Sequence, residues 1–124
     1  MDEEPEYTIE MKDRGEYLWV LVGGDRLTAD ISRKYWEQIA DKCDELGRTK
    51  VLIEKDFRES VGPAEMLQMA ENLGKLLPTR RIAFHDRHNH ASINELGKKL
   101  ARNRDVMMQT FKDVGDAERW LIAN

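Results

Sequence analysis

The 124-residue sequence holds one cysteine, three prolines and eight glycines. A lone thiol, Cys43, cannot close a disulfide within the chain or build a cysteine-based zinc site. With so little Pro and Gly beside 40% hydrophobic residues, the composition excludes a collagen-like repeat, a low-complexity linker and a disordered tail. No apolar run approaches the roughly 20 residues that a membrane helix needs. Residues 1–10 carry five carboxylates and no Lys or Arg, where a secretory leader would open basic and turn apolar. The expectation is a cytoplasmic protein. Aromatic residues are only 7%, and neither a groove-reading motif nor a stacking set stands out, so nucleic acid is not an expected partner. Gly23-Gly24-Asp25-Arg26 lacks the Gly-Lys-Ser/Thr ending that cradles phosphate and holds magnesium. It reads as a plain strand-to-helix turn, and no cofactor is expected.

What the chain does have is charge, at 35% of residues, unevenly placed. The acidic opening suggests an N-terminal arm over residues 1–6, followed by one domain over residues 7–124, a length suited to a single core. Residues 80–104 hold seven Lys and Arg against Asp86 and Glu95. Such a stretch attracts phosphate groups or an acidic surface, or is simply a solvated helix face.

Hydrophobic periodicity gives the order of elements. Residues 7–12 alternate weakly, Asp13-Arg14-Gly15 turns, and residues 16–22 form a nearly continuous apolar run, together an antiparallel hairpin. The second run suits a strand covered on both faces, with Gly23-Gly24 breaking it. Thr28 is a helix N-cap, Tyr35, Trp36, Ile39, Ala40, Cys43 and Leu46 form an apolar stripe, and Gly47 is the stop. Lys50 to Glu54 is a short buried strand, and Phe57 to Gly62 a loop. Pro63 opens a second helix and Pro78 follows its end. Arg81 to Phe84 is a fourth strand, Ile93 to Ala101 marks a third helix, and Val106 to Phe111 a fifth strand. Asp113 caps a last helix. The expected fold is therefore α/β: a five-stranded mixed sheet in the order β-β-α-β-α-β-α-β-α, first strand antiparallel, helices packed on the sheet.

These segments resemble the SpoIIAA-like proteins, relatives of STAS domains with some similarity to CRAL-TRIO lipid-binding domains. The resemblance rests on Tyr17-Leu-Trp-Val-Leu-Val-Gly23, Lys50-Val-Leu-Ile-Glu54, Arg81-Ile-Ala-Phe84, Asn103-Arg104 and Thr110-Phe-Lys-Asp-Val-Gly-Asp-Ala-Glu-Arg-Trp-Leu121. It implies a small cytoplasmic domain that regulates by binding rather than catalysing. Some STAS relatives switch by phosphorylation of a Ser in an Asp-Ser-Gly-like run at the start of the helix after the third strand. Here that stretch reads Lys55-Asp56-Phe57-Arg58-Glu59-Ser60-Val61-Gly62-Pro63, with Asp56 and Ser60 in a different arrangement. The CRAL-TRIO side implies an apolar ligand between sheet and helices.

Ligands of open α/β sheets bind beyond the carboxyl ends of the strands. Two clusters lie there: Asp56, Phe57, Arg58, Glu59 and Ser60 after the third strand, and His85-Asp86-Arg87-His88-Asn89-His90 after the fourth. We take Asp56, Phe57, Arg58, Ser60, His85, Asp86 and His88 as the candidate site for a protein partner or a small molecule. Three His and an Asp are zinc-ligand types, but the spacing is not that of the common helical motif, and no metal is expected. A phosphate on Ser60 would gain from the following helix N-terminus. Two other readings stand beside this one. A carrier of a lipid-like ligand needs an internal cavity lined by Met and Leu. A small enzyme needs His85 to converge with Asp56 or Glu59. Met66, Met69, Met107 and Met108 read as core, or as the walls of an adaptable pocket. Cys43 reads as a buried structural thiol. A homodimer is the default assembly.

Overall fold

The computed structural model describes residues 6–123. Most of the acidic arm, residues 1–5, lies outside the described residues. Five strands form one sheet: β1 (Thr8–Asp13), β2 (Leu18–Arg26), β3 (Lys50–Glu59), β4 (Arg81–Asp86) and β5 (Met107–Phe111). They stand in the sheet in sequence order. β1 pairs antiparallel with β2, and every other neighbouring pair is parallel. Four helices complete the chain: α1 (Ala29–Leu46), α2 (Pro63–Leu76), α3 (Ala91–Arg102) and α4 (Val114–Ala123). This is the expected order of elements with β1 antiparallel.

Parallel strands added one after another in the same direction need crossovers of one hand. Three such crossovers put α1, α2 and α3 on one face, where they enclose the main core. Val20, Val22, Val51, Ile53, Ile82 and Phe84 point into it from the strands, and Tyr35, Ile39, Met69 and Leu73 from the helices. α4 lies on the opposite face, where Ala117 and Leu121 cover Tyr17, Leu52 and Ala83.

The helix ends follow local chemistry. Thr28 Oγ1 accepts from Ile31 N at 3.1 Å, and Gly47 takes φ 68°, a left-handed turn that costs an ordinary side chain more. Pro63 stands at the start of α2, where its missing N–H is no loss. Asp113 Oδ1 accepts from Gly115 N at 2.6 Å, opening α4.

Two strand ends and the cover of one strand differ from the sequence reading. β2 does not stop at Gly23-Gly24 but runs on to Arg26. The glycines belong in the strand because a Cβ at Gly23 would meet the Asp56 carbonyl oxygen at 2.9 Å. β2 is fully covered on one face only, since Trp19 and Leu21 on the other are half-buried. β3 extends to Glu59, so residues 57–59 are strand rather than loop. Residues 54, 56 and 58 therefore share one face, and 55, 57 and 59 the other.

Candidate functional site

The extension of β3 sorts the candidate residues onto opposite faces of the sheet. On the α4 side, Glu54 stands opposite His85 in the parallel register, with Asp56 one step further along β3. The Glu54 side chain is only 9% exposed. It accepts from Trp19 Nε1 at 2.8 Å and from Arg87 at 3.3 Å, so its charge is paired and its oxygens are hydrogen-bonded. Lys12 and Arg14 flank the Trp19 ring at 5.6 and 5.5 Å from its centroid. Asp56 accepts from His88 Nε2 at 2.7 Å and lies 3.8 Å from the second arm of Arg87. Arg58, at the end of the row, is largely exposed and faces Asp25 at 3.5 Å. Arg87 thus bridges a buried carboxylate and a half-exposed one.

On the helix side lies Asp86, whose side chain is 7% exposed. Its oxygens accept from His88 N at 3.0 Å, His90 N at 2.8 Å, His90 Nδ1 at 2.9 Å and Asn94 Nδ2 at 2.8 Å. Burial pushes this carboxyl upward, but the hydrogen bonds from Asn94 and from the His90 and His88 backbones outweigh it. They hold the group below its usual 3.8. Asp86 thereby fixes the turn from β4 into α3. His90 also approaches the Arg58 carbonyl through Nε2 at 3.2 Å.

The structure thus joins Asp56 with His88 and Arg87, and ties Asp86 to the same turn. It leaves the other candidates apart. Phe57 is 2% exposed and stacks near Tyr35 in the main core. His85 is on the α4 face, but its Nδ1 donates to the Phe111 carbonyl at 3.1 Å. No hydrogen bond or ion pair joins it to Asp56 or Glu59. Ser60 has left the sheet and lines a shallow groove with His90 and Ser92. Among the described residues, no three His, Cys, Asp or Glu side chains converge where they could hold a metal ion. Each of the three histidines turns to acceptors of its own instead.

Two partners escaped the sequence reading. The sequence reading ends the third strand at Glu54 and covers Trp19 on both faces of the second, so it pairs neither with the other. Period-2 alternation, continued across β2 and β3, is the signal that places them together.

Between α2, α3 and the sheet there is a cavity of about 30 Å³, lined by Met66, Met69, Met108 and Leu73 among others. Its lining matches the carrier expectation, but its size does not, since each water-sized group occupies roughly 10–15 Å³ on this measure. Cys43 is buried on α1, and desolvation pushes its thiol up to about 11, so it is inert at neutral pH. Among the described residues, no helix is long and apolar enough to cross a membrane.

No family profile and no curated protein sequence matches the chain. Solved structures share its architecture, and two of them illustrate the likeness. One is an anti-sigma factor antagonist from Mycobacterium paratuberculosis, 13% identical, TM-score 0.64, with 94% of each chain covered. The other is an uncharacterised protein with a SpoIIAA-like fold from Shewanella loihica, 15% identical, TM-score 0.55, with 98% of each chain covered. At these identities the likeness is one of fold, and the fold is SpoIIAA-like.

Proposed function

We propose that this chain is a regulatory domain that acts by binding and performs no chemistry of its own. Its protein partner docks on the open part of the α4 face, across Asp56, Arg58, Arg87 and His88. The observation that carries this reading is the preset geometry of those residues. Asp56 is held between His88 and Arg87, and Arg87 is anchored in turn by buried Glu54. Side chains fixed before contact lose less freedom on binding. A patch of mixed charge favours one orientation and one partner over others. The share of fold with an anti-sigma factor antagonist, a protein whose name describes action on another regulator, supports a protein as the partner. A cytoplasmic location goes with this reading.

The test is affinity capture from cell extract with three baits: the wild type, the triple variant Asp56→Asn/Arg87→Ala/His88→Ala, and Lys99→Ala on the exposed side of α3. We expect one protein to be retained by the wild type and by Lys99→Ala. The triple variant, while still folded by circular dichroism, should lose it by about tenfold or more, as a loss near 1.4 kcal/mol would give. Equal recovery on all three baits would overturn the docking surface.

A further inference from the structure

Lys55 stands on the helix-covered face of β3, between Ile53 and Phe57, and is only 9% exposed. Lysines at that depth are ordinarily paired with a carboxylate. Among the described residues, Lys55 Nζ forms no ion pair and no hydrogen bond. The ammonium lies over two aromatic faces, Phe84 at 4.9 Å and Tyr35 at 5.7 Å from the ring centroids. Ring faces recover part of the lost hydration of a cation, yet they supply no hydrogen-bond acceptor in line with its three N–H groups.

The same residue lines the 30 Å³ cavity under α2 and α3. The walls there include Met66, Met69, Met108 and Leu73, with Asn94 and Trp36 among the other lining residues. Met66 lies over Gly97 of α3, where a Cβ would come within 2.9 Å of its sulfur. The seam between α2 and α3 is therefore closed by an unbranched, adaptable side chain against a bare backbone. An ammonium with no protein acceptor among the described residues, at the edge of a small apolar space, calls for a ligand with two parts: an anionic head for the nitrogen and a short alkyl tail for the methionines. The volume sets the length of the tail, because roughly two or three groups of water size fill it, with the head outside on the nitrogen.

We propose that this cavity is a binding site for a short-chain monocarboxylate, its head on Lys55 and its tail among Met66, Met69 and Met108. The site lies on the opposite face from the docking surface, so either can fail without the other.

The test uses protein labelled with ¹³C at the methionine methyls, titrated in turn with propionate, 1-propanol, sodium chloride and octanoate. We expect propionate to shift the Met66, Met69 and Met108 methyls saturably, with Met11 and Met107 unmoved. Propanol and chloride at equal concentration should leave all of them in place. In Lys55→Met, which exchanges the ammonium for an apolar chain of similar shape, propionate binding should weaken by about tenfold or more. Four results would each overturn the proposal. Propanol or chloride moves the same methyls as far as propionate does. Only Met11 and Met107 respond. Octanoate binds more tightly than propionate, which would mark a long-chain carrier. Lys55→Met binds propionate as the wild type does. The contrast between propionate and propanol is read on the wild type, so it decides the matter even where the variant fails to fold.

Discussion

The two faces of the sheet are built from the same strands by different rules. Under α1, α2 and α3 the strands present Val20, Val22, Ile53, Ile82 and Phe84, all 4% exposed or less, and three helices cover them along the length of the sheet. On the other face α4 covers Tyr17, Leu52 and Ala83 and stops there. Beyond it, β3 carries buried Glu54 and the more exposed Asp56 and Arg58, each in an ion pair with a residue from another segment of the chain. The first face gains stability from apolar area removed from water, at roughly 25 cal/mol per Å². The second holds charges whose exposed pairs contribute about 0–1 kcal/mol each. Stability and recognition are thus separated by strand parity: one residue along β3 changes which of the two a side chain serves.

That separation breaks most visibly by emptying the covered face. Ile53→Ala, at a fully buried position, should cost about 2–5 kcal/mol in urea unfolding. Partner capture by the fraction that remains folded should be unaffected, because Ile53 reaches no surface. A loss of capture in folded protein would show that the faces are coupled.

Next in size is Asp86, the hinge between the faces. Asp86→Asn places an amide N–H₂ among donors that need acceptors, and should cost about 2–3 kcal/mol at neutral pH. The wild type adds a pH signature. The native carboxyl ionises below its usual 3.8, so its contribution is fully present above that value and is lost as pH falls through the lower native one. Acid unfolding curves should therefore steepen below about pH 4 in the wild type. In Asp86→Asn this component should vanish; curves of equal slope would remove Asp86 from the account.

A smaller effect is expected at the bridge. Arg87→Ala leaves Glu54 buried with only Trp19 as donor, and should cost about 1–2 kcal/mol by equilibrium unfolding. Adding Glu54→Gln should recover much of that loss, since the amide needs no counter-charge. A Glu54→Gln/Arg87→Ala pair no more stable than Arg87→Ala alone would show that Glu54 does not need Arg87.

The element order was legible in the sequence because it is written locally. The stripe from Tyr35 to Leu46, the Thr28 and Gly47 ends, and the Val-Leu-Ile runs each settle their own segment. The strand ends were not, for two reasons. Gly23-Gly24 has the composition of a turn, and only the carbonyl of Asp56, far along the chain, explains why glycine is needed inside β2. Lys55-Asp56 looks like an exit into solvent, whereas polar residues outside the cover of α4 are ordinary strand alternation. A third strand that ends at Glu54 assigns no face to any later residue, whereas β3 runs on to Glu59. The candidate cluster was therefore found by type but not by pairing: Asp56 meets His88, not His85. Lys55 was beyond reach, since nothing near it in sequence reveals that it turns inward over Phe84 and Tyr35.

The last and smallest effect sharpens the comparison at the seam where α4 meets the sheet. Tyr17 is buried beneath α4, and its hydroxyl donates to Glu118. Desolvation, then this hydrogen bond and the charge of Glu118, push the phenol up to about 12. The native value lies above the unfolded 10.0, so the contribution is fully present below pH 10 and is lost as pH rises through the native value. Alkaline unfolding of the wild type should include this loss, and Tyr17→Phe should show a shallower alkaline limb. At neutral pH the variant should lose only about 1 kcal/mol, the worth of one hydrogen bond. Because Tyr17 touches the covered side of the α4 face and no part of the Asp56 row, partner capture should stay at the wild-type level. A variant that loses capture as well would mean that α4 sets the position of the open patch, and the boundary between the stable and the recognising parts of that face would have to move.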